Sequence, residues 1–131
     1  MSYTFGTTLE RPYDEAVEAV RAALDEQGFG IISEIDLAAT LKKKLDVDVP
    51  AQVILGACRP QLAHEAIQAE PSIAAVLPCN VVVRSTGEST TVVEAFDPDS
   101  MTGLADSDAL GSVAEDAGRR LRAALEALAR G

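Results

Sequence analysis

The chain is poor in the side chains that carry most soft and nucleophilic chemistry. Its 131 residues include two cysteines, one histidine and one asparagine, and all four fall between Cys58 and Asn80. Chemistry beyond packing and charge therefore has to start in that stretch. Basic residues are also scarce: eleven Lys and Arg against 21 Asp and Glu leave a formal charge of −10 and a pI near 4.4. Such a surface repels phosphate backbones, whereas nucleic-acid binding needs a basic face, so nucleic acid is excluded as a partner. The one basic run, Lys42-Lys43-Lys44, suits a helix C-terminus, where cations complement the dipole. No apolar run approaches the ~20 residues that span a bilayer, which leaves no membrane role. The opening residues, Met1-Ser2-Tyr3-Thr4-Phe5, lack the basic-then-apolar pattern of a secretory signal. A soluble, cytoplasmic protein is expected, with both cysteines as reduced thiols; a Cys58–Cys79 disulfide would need an oxidising compartment. Phosphate-cradling glycine loops are missing as well, because neither Gly28-Phe29-Gly30 nor the stretch around Gly103 completes one.

What is present reads as one globular α+β domain over 1–131. A hydrophobic content of 47% with 24% charged residues is globular. A domain of this size buries roughly two thirds of its unfolded surface, enough for a core without disulfides. There is no internal repeat, low-complexity tract or linker. The acidity fits either a high-salt habitat, which relieves self-repulsion, or a merely acidic mesophile.

Along the chain, Tyr3, Phe5, Thr7 and Leu9 alternate with smaller or polar residues, the period of a half-buried strand. Pro12 then opens a helix with Asp14 and Glu15 in its first turn, a stripe of Val17, Val20 and Leu24 beside Ala16 and Ala23, and Gly28 as its stop. Residues 29–34 form a β run, Asp36 caps a helix with Leu37, Leu41 and Leu45 in register, and Pro50 closes it. A strand over 52–58 leads into a helix from Pro60 to about Glu70, where Pro71 breaks it. The β-branched runs 81–83 and 91–93 flank Ser85-Thr86-Gly87-Glu88 and predict an antiparallel hairpin. A last helix over 107–129 carries Leu110, Val113, Ala117, Leu121, Leu125 and Leu128, a stripe long enough to cover an open sheet face. Short connections between the later strands favour a mostly antiparallel sheet with helices largely on one face.

Cys58 stands where a strand runs into the helix that starts at Pro60. The positive helix end and Arg59 favour a thiolate there, the form that attacks or ligates. Equally, a free cysteine at a strand end serves as a small hydrophobe. His64, one turn on, borders the apolar stripe of Leu62, Ala63 and Ala66, either with one ring nitrogen on a pocket or as a half-exposed structural residue. Strand alternation puts Cys79 with Val81 and Val83, and Asn80 with Val82 and Arg84. If the strands ending at Cys58 and starting at Cys79 are neighbours, Cys58, His64 and Cys79 can form a soft three-ligand site for zinc or copper(I). The spacing C-x5-H-x14-C matches no standard zinc pattern. Cys58 and His64 are also the candidate catalytic pair, His64 as base and Asn80 as its orienting group. Asp36 reads as a helix cap and Glu34 as a polar strand residue, with a carboxylate-pair role as the alternative.

Three stretches resemble the domain of unknown function 302 family: Gly28-Phe29-Gly30-Ile31-Ile32-Ser33-Glu34-Ile35-Asp36, Ile54-Leu55-Gly56-Ala57-Cys58-Arg59-Pro60 with Leu62-Ala63-His64, and Leu77-Pro78-Cys79-Asn80-Val81-Val82-Val83. The resemblance covers the chain from the first helix to Asp97-Pro98. It implies a TATA-binding-protein-like fold: a curved antiparallel sheet with a long C-terminal helix across it, here with inserted helices (β-α-β(4)-α). It also implies a homodimer, and it makes Glu34, Asp36, Cys58, His64, Pro78, Cys79 and Asn80 the positions to watch. Arg59 departs from the Asn or other polar residue the resemblance implies there, so no role is carried onto it. Three functions follow as expectations. One is a small-ligand or metal-binding module using Cys58, His64, Cys79, Asn80 and Glu34. A second is a thiol enzyme or redox protein acting through Cys58. The third is an interaction module working as a homodimer.

Overall fold

In the computed structural model, which describes residues 2–104 and 107–131, the strands and helices follow the order that periodicity predicts. Strand β1 (Thr4–Leu9) turns Phe5, Thr7 and Leu9 toward the interior; Tyr3 precedes it and is 70% exposed, so the inward row starts at Phe5. Helix α1 (Tyr13–Glu26) has Pro12 at its N-cap and buries Ala16, Val20, Ala23 and Leu24. Gly28 ends it at φ +84°, a left-handed conformation that glycine adopts without steric cost. In that turn the Gly28 and Phe29 amides donate to the carbonyls of Asp25 and Leu24 at 3.0 Å.

Strand β2 (Gly30–Asp36) leads directly into helix α2 (Leu37–Leu45), where the Asp36 carboxylate accepts from the Ala39 amide at 2.9 Å as the expected cap. No residue of α2 is buried: Leu37 and Leu41 are half-covered, and Leu45 is 66% exposed. Strand β3 (Gln52–Cys58) is followed by helix α3 (Pro60–Ala69) and then a 3₁₀ helix over Pro71–Val76, which the helix-breaking reading of Pro71 did not foresee. Strands β4 (Cys79–Gly87) and β5 (Thr90–Phe96) form the hairpin. Its turn is Glu88-Ser89, later than the Ser85–Glu88 expected, because an irregularity between Ser85 and Gly87 carries β4 further. A 3₁₀ helix over Pro98–Met101 leads on toward helix α4 (Asp108–Arg130), which is capped by the Ser107 hydroxyl accepting from the Leu110 amide.

The five strands lie in the order β1-β5-β4-β3-β2, every pair antiparallel. One face buries Val53, Leu55, Ala57, Cys79, Val81, Val83, Val93 and Ala95 under α1 and the C-terminal half of α4. Thr91 is the one polar residue buried there, and its hydroxyl donates to the Arg11 carbonyl at 2.9 Å. The alternate residues, among them Ile54, Val82, Arg84, Val92 and Glu94, stay half-exposed, with Arg84 and Glu94 ion-paired across β4 and β5. The N-terminal half of α4 builds a second cluster: Leu110, Val113, Ala114 and Ala117 pack with Leu62 and Ala66 of α3, Ile73 and Met101. No helix is long and apolar enough to cross a membrane among the described residues.

A side chain at Gly56 would collide with the Ser33 hydroxyl and lie 2.7 Å from Pro78 Cγ, whereas at Gly111 in α4 it would meet nothing within 4 Å. Ser33 sits at the irregularity between Ile31 and Ser33, which pushes β2 over β3. Gly56→Ala is therefore expected to cost about 1–3 kcal/mol by overpacking, and Gly111→Ala to gain about 0.5–1 kcal/mol through helix propensity. Urea denaturation of the two variants checks both signs.

Candidate functional site

The neighbouring strands β3 and β4 bring the two cysteines together, with Ala57 opposite Cys79 in the register. Cys79 points into the core with Val81 and Val83, and Cys58, half-buried, ends the adjacent strand. Both are free thiols, and both line a cavity of about 270 Å³ at the end of the sheet. Phe29 and Ala57 close it on the sheet side, while Leu62, Ala63 and Ala66 of α3 form a second wall. Val113 and Ala117 of α4, with Met101, form the third, and Leu77 and Pro78 the floor beside Cys79. Ile32 and Ile67 stand at the mouth, both exposed. The cavity thus lies where the two hydrophobic clusters meet, since Phe29, Ala57 and Cys79 belong to one and Leu62, Ala66, Met101, Val113 and Ala117 to the other.

Burial pushes the Cys79 thiol up to about 11, and Cys58 lies close enough to add to the rise. At neutral pH Cys79 is therefore a protonated, apolar wall rather than a nucleophile. The other positions singled out in the sequence do not join the thiols. His64 is exposed and outside the cavity. Leu62 and Ala66 turn inward, and His64 follows Leu62 by two positions, about 200° around the helix. Asn80 projects from the opposite face of β4 to Cys79 and is exposed. Glu34 belongs to another part of the surface, ion-paired with Arg21 of α1 in a shallow hollow with Tyr13, Asp14 and Asp36. Burial and the carboxylates of Asp36 and Asp14 raise the Tyr13 hydroxyl there. Among the described residues, no group of three or more His, Cys, Asp or Glu is placed to hold a metal ion.

Arg59 also lines the cavity, whereas residue-type reasoning assigns it only an influence on the Cys58 thiol. It occupies the N-cap of α3, where its carbonyl accepts from the Leu62 and Ala63 amides at 3.0 Å and its side chain caps nothing. The guanidinium instead folds back onto Gly28, where it fills the space a Cβ would take. The charge pattern does not single it out: no acidic residue lies between Asp48 and Glu65, but none lies between Glu70 and Glu88 either. Val113 and Ala117 were legible as core residues of the last helix, but not as part of a cavity wall with Met101, because that role depends on where α3 comes to rest.

The family described as Domain of unknown function DUF302 matches residues 5–128. The fold is similar to that in the crystal structure of an uncharacterized conserved DUF302 protein from Bacillus stearothermophilus, with a TM-score of 0.86 and 26% sequence identity over 96% of this chain and 98% of that one. No curated protein matches.

The raised Cys79 thiol has a definite pH consequence. Its ordinary value is 9.0, and in the folded protein it reaches about 11. Between those values the unfolded chain has lost a proton that the native state keeps, so the contribution to stability is complete below about pH 9 and is lost as pH rises toward about 11. Cys79→Val removes this component. The stability difference between wild type and Cys79→Val, measured by urea denaturation from about pH 8 to about pH 11, is expected to shift against the wild type as pH rises.

Proposed function

The chain belongs to the Domain of unknown function DUF302 family, and on that premise we propose that it is a small-ligand-binding module whose ligand occupies the cavity between α3, α4 and the end of the sheet. What supports the reading is the cavity itself: about 270 Å³ of space, walled almost wholly by apolar side chains, at the junction of two otherwise close-packed clusters. Protein interiors keep few voids larger than a water molecule, and ligand sites are apolar recesses with a few convergent polar groups. This one is at the small end of the usual ~300–1,000 Å³ range and so suits a compact ligand. Cys58 and Cys79 are its soft contacts. A zinc or copper(I) version of the reading draws on those two sulfurs alone, because His64 stands outside. A thiol-enzyme version draws on Cys58 without a histidine base beside it. Both have less support than an apolar ligand.

A second reading, self-association, has its own observation. Ile32 and Ile35 of β2, Leu45 of α2, and Val47 and Val49 after it are exposed large hydrophobics on the outermost strand and the segment that follows it. Such a patch marks an interaction surface more often than a monomer's ordinary exterior.

At about 30 Å³ per molecule of liquid water, the cavity corresponds to about nine heavy atoms, the size of 1-octanol. Titration with 1-octanol is expected to shift the amide resonances of Leu62, Ala66, Met101 and Ala117 and leave those of β1 unmoved. Ala63→Leu, at a half-buried lining position, is expected to weaken this at least tenfold. Unmoved lining resonances would remove the ligand reading. For the second reading, light scattering at micromolar concentration is expected to give a dimer, and Leu45→Glu with Ile35→Glu a monomer; a monomeric wild type would end it.

A further inference from the structure

We infer that the cavity ligand carries a single carboxylate, held by Arg59, on a short apolar body. This rests on the ligand-binding reading of the same cavity and names the chemistry that the ligand must have. Among the described residues, Arg59 is the only charged one lining the cavity. Of the eight arginines, six are ion-paired among the described residues, and Arg11 donates to the Gly131 carbonyl at 2.7 Å. Arg59 alone has neither kind of partner among the described residues. Its Nε is the one buried side-chain nitrogen or oxygen without a hydrogen-bond partner there. A buried donor left unpaired is costly, and native structures keep few of them.

The guanidinium also has a fixed seat. It lies against Gly28, at a position whose positive φ disfavours any side chain, so the space it fills is kept open by backbone conformation. Because Nε is fully buried, a ligand carboxylate pairs with the terminal Nη groups, whose N–H bonds also present a fork to a planar carboxylate. In a chain of net charge −10, with no acidic residue on the cavity wall among the described residues, this is a local site of the opposite sign. The overall charge favours a singly charged head over a doubly charged phosphate. The apolar walls favour a hydrocarbon body, so the ligand class is a short-chain monocarboxylate, with the Cys58 and Cys79 sulfurs against its chain.

The test compares octanoate with 1-octanol, equal in chain length and different in charge, on the full chain by calorimetry and amide-resonance titration. With wild type, both bind, and octanoate shifts the Arg59 Nε–H resonance while 1-octanol does not. Arg59→Gln is expected to lower the ratio of octanoate to octanol affinity by about tenfold, the worth of one charge-assisted pair. A fall of threefold or more sustains the inference, and a smaller one overturns it. Retained octanol binding by Arg59→Gln shows that the cavity is intact. Should that variant not fold, the Nε–H response in wild type decides: an equal response to both probes, or to neither, overturns the inference. Binding of both probes without discrimination overturns the carboxylate alone, whereas binding of neither overturns the cavity reading with it.

Discussion

Burial of the apolar stripe of α4 is the constraint on which the rest of the molecule depends. Over 23 residues, about 35 Å at ~1.5 Å per residue, the helix is long enough to serve two cores. Leu121, Ala124, Leu125 and Leu128 seal the sheet together with α1, and Leu110, Val113, Ala114 and Ala117 hold α3 and the 3₁₀ segment after it. Each fully buried leucine contributes roughly 1.5–3 kcal/mol, so neither half can be released without a large loss. The two clusters are not continuous. A straight helix passing from a sheet to another helix cannot pack closely on both along its whole length, and the space left at the changeover is the cavity beside the cysteines. The site is thus a result of the fold's longest element, not an addition to it.

Much of this was legible in the chain. Alternation in β4 was enough to anticipate that Cys79 and Asn80 face opposite ways, whereas the pairing of β3 with β4 entered only as a condition, which the register meets. The Asp36 cap and the Gly28 stop depend on local chemistry and were readable for the same reason. What could not be read depends on contacts distant in sequence. His64 lies at the edge of an apolar stripe, and only the direction from which α4 approaches α3 decides which edge is covered. Likewise Leu37, Leu41 and Leu45 have the spacing of a buried row, but no residue of α2 is buried, and spacing alone does not say how much of the chain will cover it.

The least conspicuous of the site's residues gives it its electrostatic character. Arg59 belongs to no motif, and its type is ordinary. Its significance comes from what surrounds it among the described residues: a wall without carboxylates, a glycine whose conformation reserves its seat, and a buried nitrogen without a partner. The two thiols, by contrast, are conspicuous in the sequence and modest in the structure. Burial keeps Cys79 protonated, so it contributes a polarisable surface to the cavity and not a charge.

The irregularity between Ile31 and Ser33 has an effect beyond the crowding at Gly56. Strand β2 is one of the sheet's two outer strands, and a flat outer strand carrying Ile32 and Ile35 would be a template on which strand after strand can add. A bulge breaks the repeat of the ladder and increases its twist, so the next chain cannot extend it in uniform register. The local distortion of this strand is thus a feature of the kind that discourages edge-to-edge addition of chains.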